Sequence, residues 1–324
     1  MADLTTPETS SHASAGGPRP GRAVPLRSRA ASRSLRQMRL SRYLFLLPMV
    51  VLVGAFLLYP AADTAWVSFT NWNGLNDARF TGLDNYAQLF ASAAFVTSFE
   101  NTLIWVAGVL VLQVAVGLLF ALVLSRVWGG DLFKSIFYLP STISASATAV
   151  IWYFMFDPNN GVINTTLRFA HLGGWAQLWL ATPPLNTLGM IVAATWQGMG
   201  PNMMLFLVGL ANIPRDPLEA AMLDGASSVR LFRYVTFPLL RPMVTVVVGV
   251  ALINSFKVFD LIWVMTQGGP YRSSETLAVT MYREAFVSFQ LGYGASVAVV
   301  LSIIVLGASV FYLRAMFRRD VGVY

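Results

Sequence analysis

The sequence predicts an all-α integral membrane protein: six transmembrane helices, with a helical elbow between the fourth and fifth. Three observations predict it. Lys, Arg, Asp and Glu make up 11% of the 324 residues, against about 25% in soluble proteins. Hydrophobic residues make up 56% and the mean hydropathy is +0.61, which leaves too little polar side chain to cover a surface facing water. The charges that exist are also spaced to leave six long stretches almost free of them, each near the roughly 20 residues that a helix needs to cross the hydrocarbon core.

The elements follow in order. Arg42 and Asp63 bound the first stretch, residues 43–62. Glu100 and Arg126 bound the second, with its span at 102–125, and Lys134 and Asp157 bound the third, 135–156. The fourth lies in the uncharged run between Arg168 and Arg215, where Pro183, Pro184 and Asn186 mark a turn and place the span at 188–211. The fifth follows Pro242, at 243–265, and is unusual in holding Lys257 and Asp260. The sixth is 291–313, before Arg314. Unpaired backbone groups are too costly in lipid, so each stretch is expected to be helical.

Orientation follows from Lys and Arg alone. With the N-terminus cytoplasmic, seventeen of the 22 basic residues fall on the cytoplasmic side. Only Arg79, Arg168, Arg272 and Arg283 fall outside, and Lys257 lies within the membrane. The net charge of +7 is thereby accounted for by topology, with membrane lipid around the spans and no nucleic-acid partner. Both termini are expected in the cytoplasm of a bacterial cell, with the chain a multi-pass protein of its cytoplasmic membrane. Residues 1–41 read as a disordered basic tail, because Ser, Ala, Pro, Gly and Arg without apolar periodicity cannot offset the entropy of ordering. Residues 42–318 form the membrane domain and 319–324 a short cytoplasmic tail. The segment from Ser68 to Ser98 is the largest external loop. Asn164-Thr165-Thr166 matches a glycosylation sequon, a pattern too short to carry weight.

Several chemistries are missing. Without cysteine, and with only His12 and His171, the chain offers no disulfide, thiolate nucleophile or histidine-based metal site. The phosphate-binding G-x-x-x-x-G-K-[ST] loop is absent, as are G-x-S-x-G and H-E-x-x-H. The chain is expected to be a transport subunit, not an enzyme, and to bind no cofactor or metal itself. Energy for active work must come from an ion gradient or another subunit.

One cytoplasmic stretch, residues 213–238, is specified in detail. Asp216 suits an N-cap, Pro217 the first helical position and Glu219 the capping-box position, so a short helix is expected to begin there. Gly225 suits the left-handed residue that stops it. Ser227 or Ser228 then caps a second short helix that Pro238 and Pro242 are expected to end. Glu219-Ala220-Ala221, then Gly225, then Val-Thr-Phe-Pro ending at Pro238, resembles the E-A-A loop of binding-protein-dependent ABC importer permeases. Val235 and Phe237 replace an isoleucine and a leucine of that pattern, and Asp224 with Ala226 extends the match.

Phe80-Thr81-Gly82-Leu83-Asp84-Asn85-Tyr86 is similar to an external stretch of the carbohydrate permeases of this family. Trp196 through Pro214, and Phe259-Asp260 through Gly268-Gly269-Pro270 and Glu275-Thr276-Leu277 to Phe286, are similar as well. The resemblance implies a type I importer permease for a mono- or oligosaccharide or a related polyol derivative. It further implies a second permease chain, two copies of a cytoplasmic ATPase that carry ATP and Mg, and a solute-binding protein outside. Glu219, Ala220, Ala221, Asp224, Gly225, Ala226 and Pro238 would then couple to the ATPase. Trp196, Gln197, Gly198 and Asn202, with Asn254, Ser255, Lys257 and Asp260, are the candidate substrate path, an aromatic beside amide, hydroxyl and charged groups. Lys257 and Asp260, three residues apart, are expected on one helix face, where they either meet substrate or neutralise one another. A secondary transporter that uses Lys257 and Asp260, an ABC permease for another solute, and a membrane scaffold are the alternatives.

Overall fold

In the computed structural model, residues 45–75, 77–125, 127 and 129–320 are described. The basic tail at 1–41 lies outside them, as do residues 321–324. Among the described residues the only β pairing is an isolated antiparallel bridge between Thr70 and Phe80; the rest of the regular structure is helical. The chain divides into two compact units, Met1–Tyr59 and Pro60–Tyr324.

Five helices are long and apolar enough to cross a membrane. They are α1 (Phe45–Val67), α3 (Ala93–Leu124), α7 (Leu185–Ala211), α9 (Ser228–Phe256) and α12 (Leu291–Asp320). Shorter helices lie between them: α2 (Asp84–Ala91), α4 (Gly130–Tyr138), α5 (Ala145–Met155), α6 (Val162–Phe169), α8 (Arg215–Leu223), α10 (Asp260–Met265) and α11 (Leu277–Tyr282). The long helices outrun the expected spans, since α3 begins at Ala93 and α1 ends at Val67. Helix propagation does not stop where the hydrocarbon does, and Glu100 sits exposed on the second turn of α3.

Two of the expected continuous spans are broken. Residues 135–156 form α4, a 3-10 turn at Leu139–Thr142 and then α5. Pro140 accounts for the break: without an N–H it cannot continue the helix, and Ile143 and Ser144 are extended, Ser144 accepting from the Ala147 N–H as the cap of α5. The fifth stretch ends at Phe256, and Lys257 to Phe259 are non-helical before α10 begins at Asp260. Lys257 and Asp260 therefore do not share a helix face, contrary to the expectation from their spacing.

Two prolines expected to stop a helix do not. Helix α9 runs through both Pro238 and Pro242. A π-helical turn at Phe232–Thr236, closed by the Phe237 N–H on the Phe232 carbonyl, precedes Pro238 by two residues. Helix α1 uses the same device, a π turn at Gly54–Leu58 two residues before Pro60. The wider turn gives the proline ring room against the preceding carbonyl.

Helices α3 and α7 form the most extensive pair of the second unit. Glycines allow their close approach: a Cβ on Gly108 would lie 2.7 Å from Ile191, and one on Gly117 2.8 Å from the Asn202 Cβ. These contacts rise together in residue number, so α3 and α7 run parallel and the chain between them must return to its starting end. It does so through α4 and α5, which pass α7 in the opposite sense: the amide of Gln197 donates to the Ile143 carbonyl, and Gly189 faces Phe156. Helix α9 runs antiparallel to α7, with Gly209 against Leu240 and Met243. It is joined to α12 where the Tyr312 hydroxyl donates to the Thr245 carbonyl. The two ends of this bundle are distinct: one carries the elbow after α7, the other the loops at 157–184 and 266–276.

Candidate functional site

A cavity of about 480 Å³ opens where the two breaks meet α3 and α7. Its wall takes Trp105, Val109 and Gln113 from α3, Ser141 and Ala145 from the first break, and Gln197, Gly198 and Pro201 from α7. Asn254, Ser255, Lys257, Phe259 and Asp260 come from the second break. Six of the eight candidate path residues thus line one space: Gln197, Gly198, Asn254, Ser255, Lys257 and Asp260. Trp196 is half-buried and meets Trp152 edge-on at 6.0 Å. Asn202 is buried between helices, its amide 3.5 Å from the Gln113 carbonyl.

The polar groups of this wall are unequal. Gln197 is committed, its amide donating to the Ile143 carbonyl at 2.8 Å, and Ser255 donates to the Leu252 carbonyl at 2.8 Å. Lys257, Asp260 and Asn254 are exposed to the open space, and among the described residues no ion pair involves Lys257 or Asp260. Pro201 has no N–H for the Gln197 carbonyl, which leaves a backbone acceptor beside the cavity. Gln113 escaped the reading of the sequence because it sits in an uncharged stretch with nothing local to mark it. Its partner does: a Cβ on Gly198 would lie 1.3 Å from the Gln113 Nε2, so glycine there makes the room that the amide fills.

Beyond the C-terminal end of α7 lies the elbow. Helix α8 begins after Pro214, two residues earlier than expected, and no side chain caps it; Asp216 falls in its first turn. Pro217 is tolerated because the first N–H groups of a helix have no partner within it. The end of α8 is closed by two bonds, from the Gly225 N–H to the Met222 carbonyl (3.1 Å) and from the Ala226 N–H to the Ala221 carbonyl (3.0 Å), with Gly225 at φ +75°. That is the Schellman arrangement, and it requires a residue at ease with positive φ. Glu219, Ala220, Asp224 and Gly225 are exposed, with Leu223 at 89% and Val229 at 75% beside them. Leu218, Met222 and Ala226 face a groove of about 700 Å³ against the ends of α3 and α7. Pro238 is half-buried inside α9 and does not bound the elbow.

The other end of the bundle holds a charge cluster with no role assigned from the sequence, although Glu275 stands in the Glu-Thr-Leu segment noted above. The Glu275 side chain is fully buried. Arg272 donates to it through Nε (2.9 Å) and Nη2 (2.7 Å), Arg283 through Nε (3.2 Å), and the Thr280 hydroxyl at 2.8 Å. Arg272 also reaches Glu284 at 2.9 Å, and Arg283 donates to the Gln267 carbonyl and lies over the Trp263 ring. Burial alone would lower the Arg272 pKa, but the bonds and charges of Glu275 and Glu284 outweigh it and raise it above its ordinary value. Gln267, Tyr271 and Arg272 have positive φ, a strained backbone that this network holds in place. Asn101 and Asn186 fasten the same loop to α3 and α7 by donating to the Ser273 and Gly269 carbonyls. Asn164 of the sequon is buried, and both ends of its amide are used within the chain.

A bundle of membrane-length helices, a cavity lined by polar, charged and apolar side chains at two helix breaks and an exposed elbow define a multi-pass membrane transport subunit. Residues 113–323 match the family described as "Binding-protein-dependent transport system inner membrane component", and the chain belongs to it. A probable ABC transporter permease protein of Pyrococcus horikoshii is 35% identical over 280 residues, covering 86% of this chain and 96% of the relative. The probable starch degradation products transport system permease protein AmyD of Thermoanaerobacterium thermosulfurigenes is 31% identical, covering 86% and 94%. The fold matches a chain of a bacterial alginate ABC transporter, solved with its alginate pentasaccharide-bound periplasmic protein. That match has a TM-score of 0.77 and 22% identity, over 90% of this chain and 98% of that one.

Proposed function

We propose that this chain is one of two permease subunits of an ATP-driven importer that carries a saccharide, or a related polyol derivative, into the cytoplasm. The observation that carries the reading is the cavity at the helix breaks. Lys257 and Asp260 face it outside every ion pair of the described residues, with Asn254 exposed beside them and Trp105 and Phe259 in the same wall. Sugars offer hydroxyls to such groups and apolar ring faces to the aromatics. The relatives add support: AmyD is named for starch degradation products, and the alginate transporter carries an acidic polysaccharide.

In this reading the broken stretches α4–α5 and α9–α10 are the third and fifth membrane crossings, and both termini and the elbow face the cytoplasm. Glu219, Ala220, Ala221, Asp224, Gly225 and Ala226 meet a cytoplasmic ATPase, two copies of which bind and hydrolyse ATP with Mg. A second, similar permease completes the pore and a solute-binding protein delivers the sugar at the opposite face. Glu219 and Asp224 supply acidic contacts and Leu223 and Val229 apolar ones, so closure of the ATPase pair pulls on α7 and α9, which flank the elbow.

The test is to purify the chain from its native membrane with its neighbours and assay reconstituted vesicles. An ATPase and a solute-binding protein should copurify, and the sugar eluted from the latter should be taken up only with ATP inside the cytoplasmic compartment. Uptake that ran without ATP and followed an ion gradient would assign the unpaired Lys257 and Asp260 to a secondary transporter instead.

A further inference from the structure

Two buried polar atoms among the described residues have no hydrogen-bond partner, the Thr148 Oγ1 and the Trp152 Nε1. Both lie on α5, four residues apart and so on one face, and their residues are 0% and 8% exposed. Buried polar groups are otherwise paired as a rule, because leaving one unmade costs stability. Elsewhere in this chain the rule holds, for Asn101, Asn164, Asn186 and Glu275 among others. Valine at position 148 would fill the same space without that cost.

Their position supplies the reason. Ala145, at the start of α5, lines the central cavity, while Tyr153 and Phe156, at its end, line a second cavity of about 360 Å³ on the loop side of the bundle. Helix α10 packs along α5 and does the same: Asp260 and Leu261 face the first cavity, Met265 the second. Leu261 and Met265 are about one helical turn, roughly 6 Å, apart. The wall between the cavities is thin, and Thr148 and Trp152 stand in it, with the Trp152 ring against Trp196 and Phe156.

We propose that Thr148 and Trp152 form a second saccharide-binding station, closed in this conformation, on the route between the two cavities. When α5 and α10 part, the threonine hydroxyl and the indole N–H face the passing sugar and bond its hydroxyls, while the indole face receives a sugar ring. The inference rests on the importer reading above and extends the path beyond the groups at the helix breaks.

The absence of cysteine from this chain makes the test direct. Thr148→Cys, Ala145→Cys and the exposed Ile151→Cys are made singly in the complete reconstituted complex. Each is treated with a small water-soluble methanethiosulfonate reagent, nucleotide-free and trapped with ATP and vanadate, and labelling of this chain is read by mass spectrometry. The rate at Thr148→Cys should rise at least tenfold in the trapped state, Ala145→Cys should also change between states, and Ile151→Cys should react in neither. If Ala145→Cys responds and Thr148→Cys stays unreactive in both states, the station is overturned and the importer reading stands. If neither responds to nucleotide, both fall. Ala149→Cys, beside Thr148 and fully buried, gives the same reading should Thr148→Cys not assemble.

Discussion

The two charge-bearing regions of the bundle treat their charges in opposite ways. At the loop end, Glu275 is fully buried, and both oxygens of its carboxylate are taken by two arginines and a threonine of the same chain. At the helix breaks, Lys257 and Asp260 lie three residues apart, open to a cavity and outside every ion pair of the described residues. A buried, saturated cluster fixes a loop, and a wrong partner there costs stability. Unpaired charges in an accessible space gain nothing for the fold and are available to a ligand. In the reading proposed above, the difference separates residues that hold the structure from residues left free to meet a substrate, and variants should divide along the same line.

The largest effect on stability is expected from Glu275→Gln, which keeps the shape and removes the charge that Arg272 and Arg283 share. Breaking a buried pair from one side costs about 3 kcal/mol or more. The melting temperature in detergent and the amount of inserted protein should both drop; unchanged melting would move Glu275 out of the structural class. Gly225→Val comes next. No atom lies within 4 Å of the Cβ it would add, so the penalty is conformational, about 1–2 kcal/mol for a left-handed residue, and stays local to an exposed turn. Inserted protein should remain near normal while ATP-driven uptake is lost, and Gly225→Asn, which accepts positive φ, should retain most of it. Loss of Gly225→Val from the membrane would make the elbow a folding element only.

Gly198→Ala is expected to be smaller, about 1 kcal/mol of overpacking, because the Gln113 amide is the end of a flexible side chain and can move aside. Its signature is a changed substrate affinity with little change in melting. If affinity stays the same, Gln113 is packing and not part of the site. The smallest effect on stability belongs to Lys257→Met and Asp260→Asn, each within about 0.5 kcal/mol. Destabilisation beyond that would show that the two charges support the fold after all.

Much of this was legible in the sequence, and the failures have identifiable causes. Charge-free stretches located the long helices, because lipid forces every backbone group there into a helix. Gly225 was legible because few residues but glycine adopt positive φ at a helix end. The break at Lys257 was not: no proline or glycine marks it, and the same two charges that signal it also fit an unbroken helix face. Pro238 misled in the other direction, since a π turn two residues earlier carries the helix through it. The place of Gln113 beside Gly198 depends on α3 and α7 meeting in space, and the partnership of Glu275 with Arg283 on how the loop folds back over α11, neither of which the local pattern encodes. Six of the eight candidate path residues do share one cavity, because α9 ends at Phe256 beside the middle of α7.

The most direct test of the central claim compares uptake with stability in one variant. The Lys257→Met/Asp260→Asn chain is assembled with its copurifying partners in vesicles holding ATP, and uptake of the sugar eluted from the solute-binding protein is measured per inserted complex. The account predicts uptake below a tenth of the unaltered chain, with the same amount of complex and the same melting temperature. Uptake equal to the unaltered chain, at equal insertion, would contradict it.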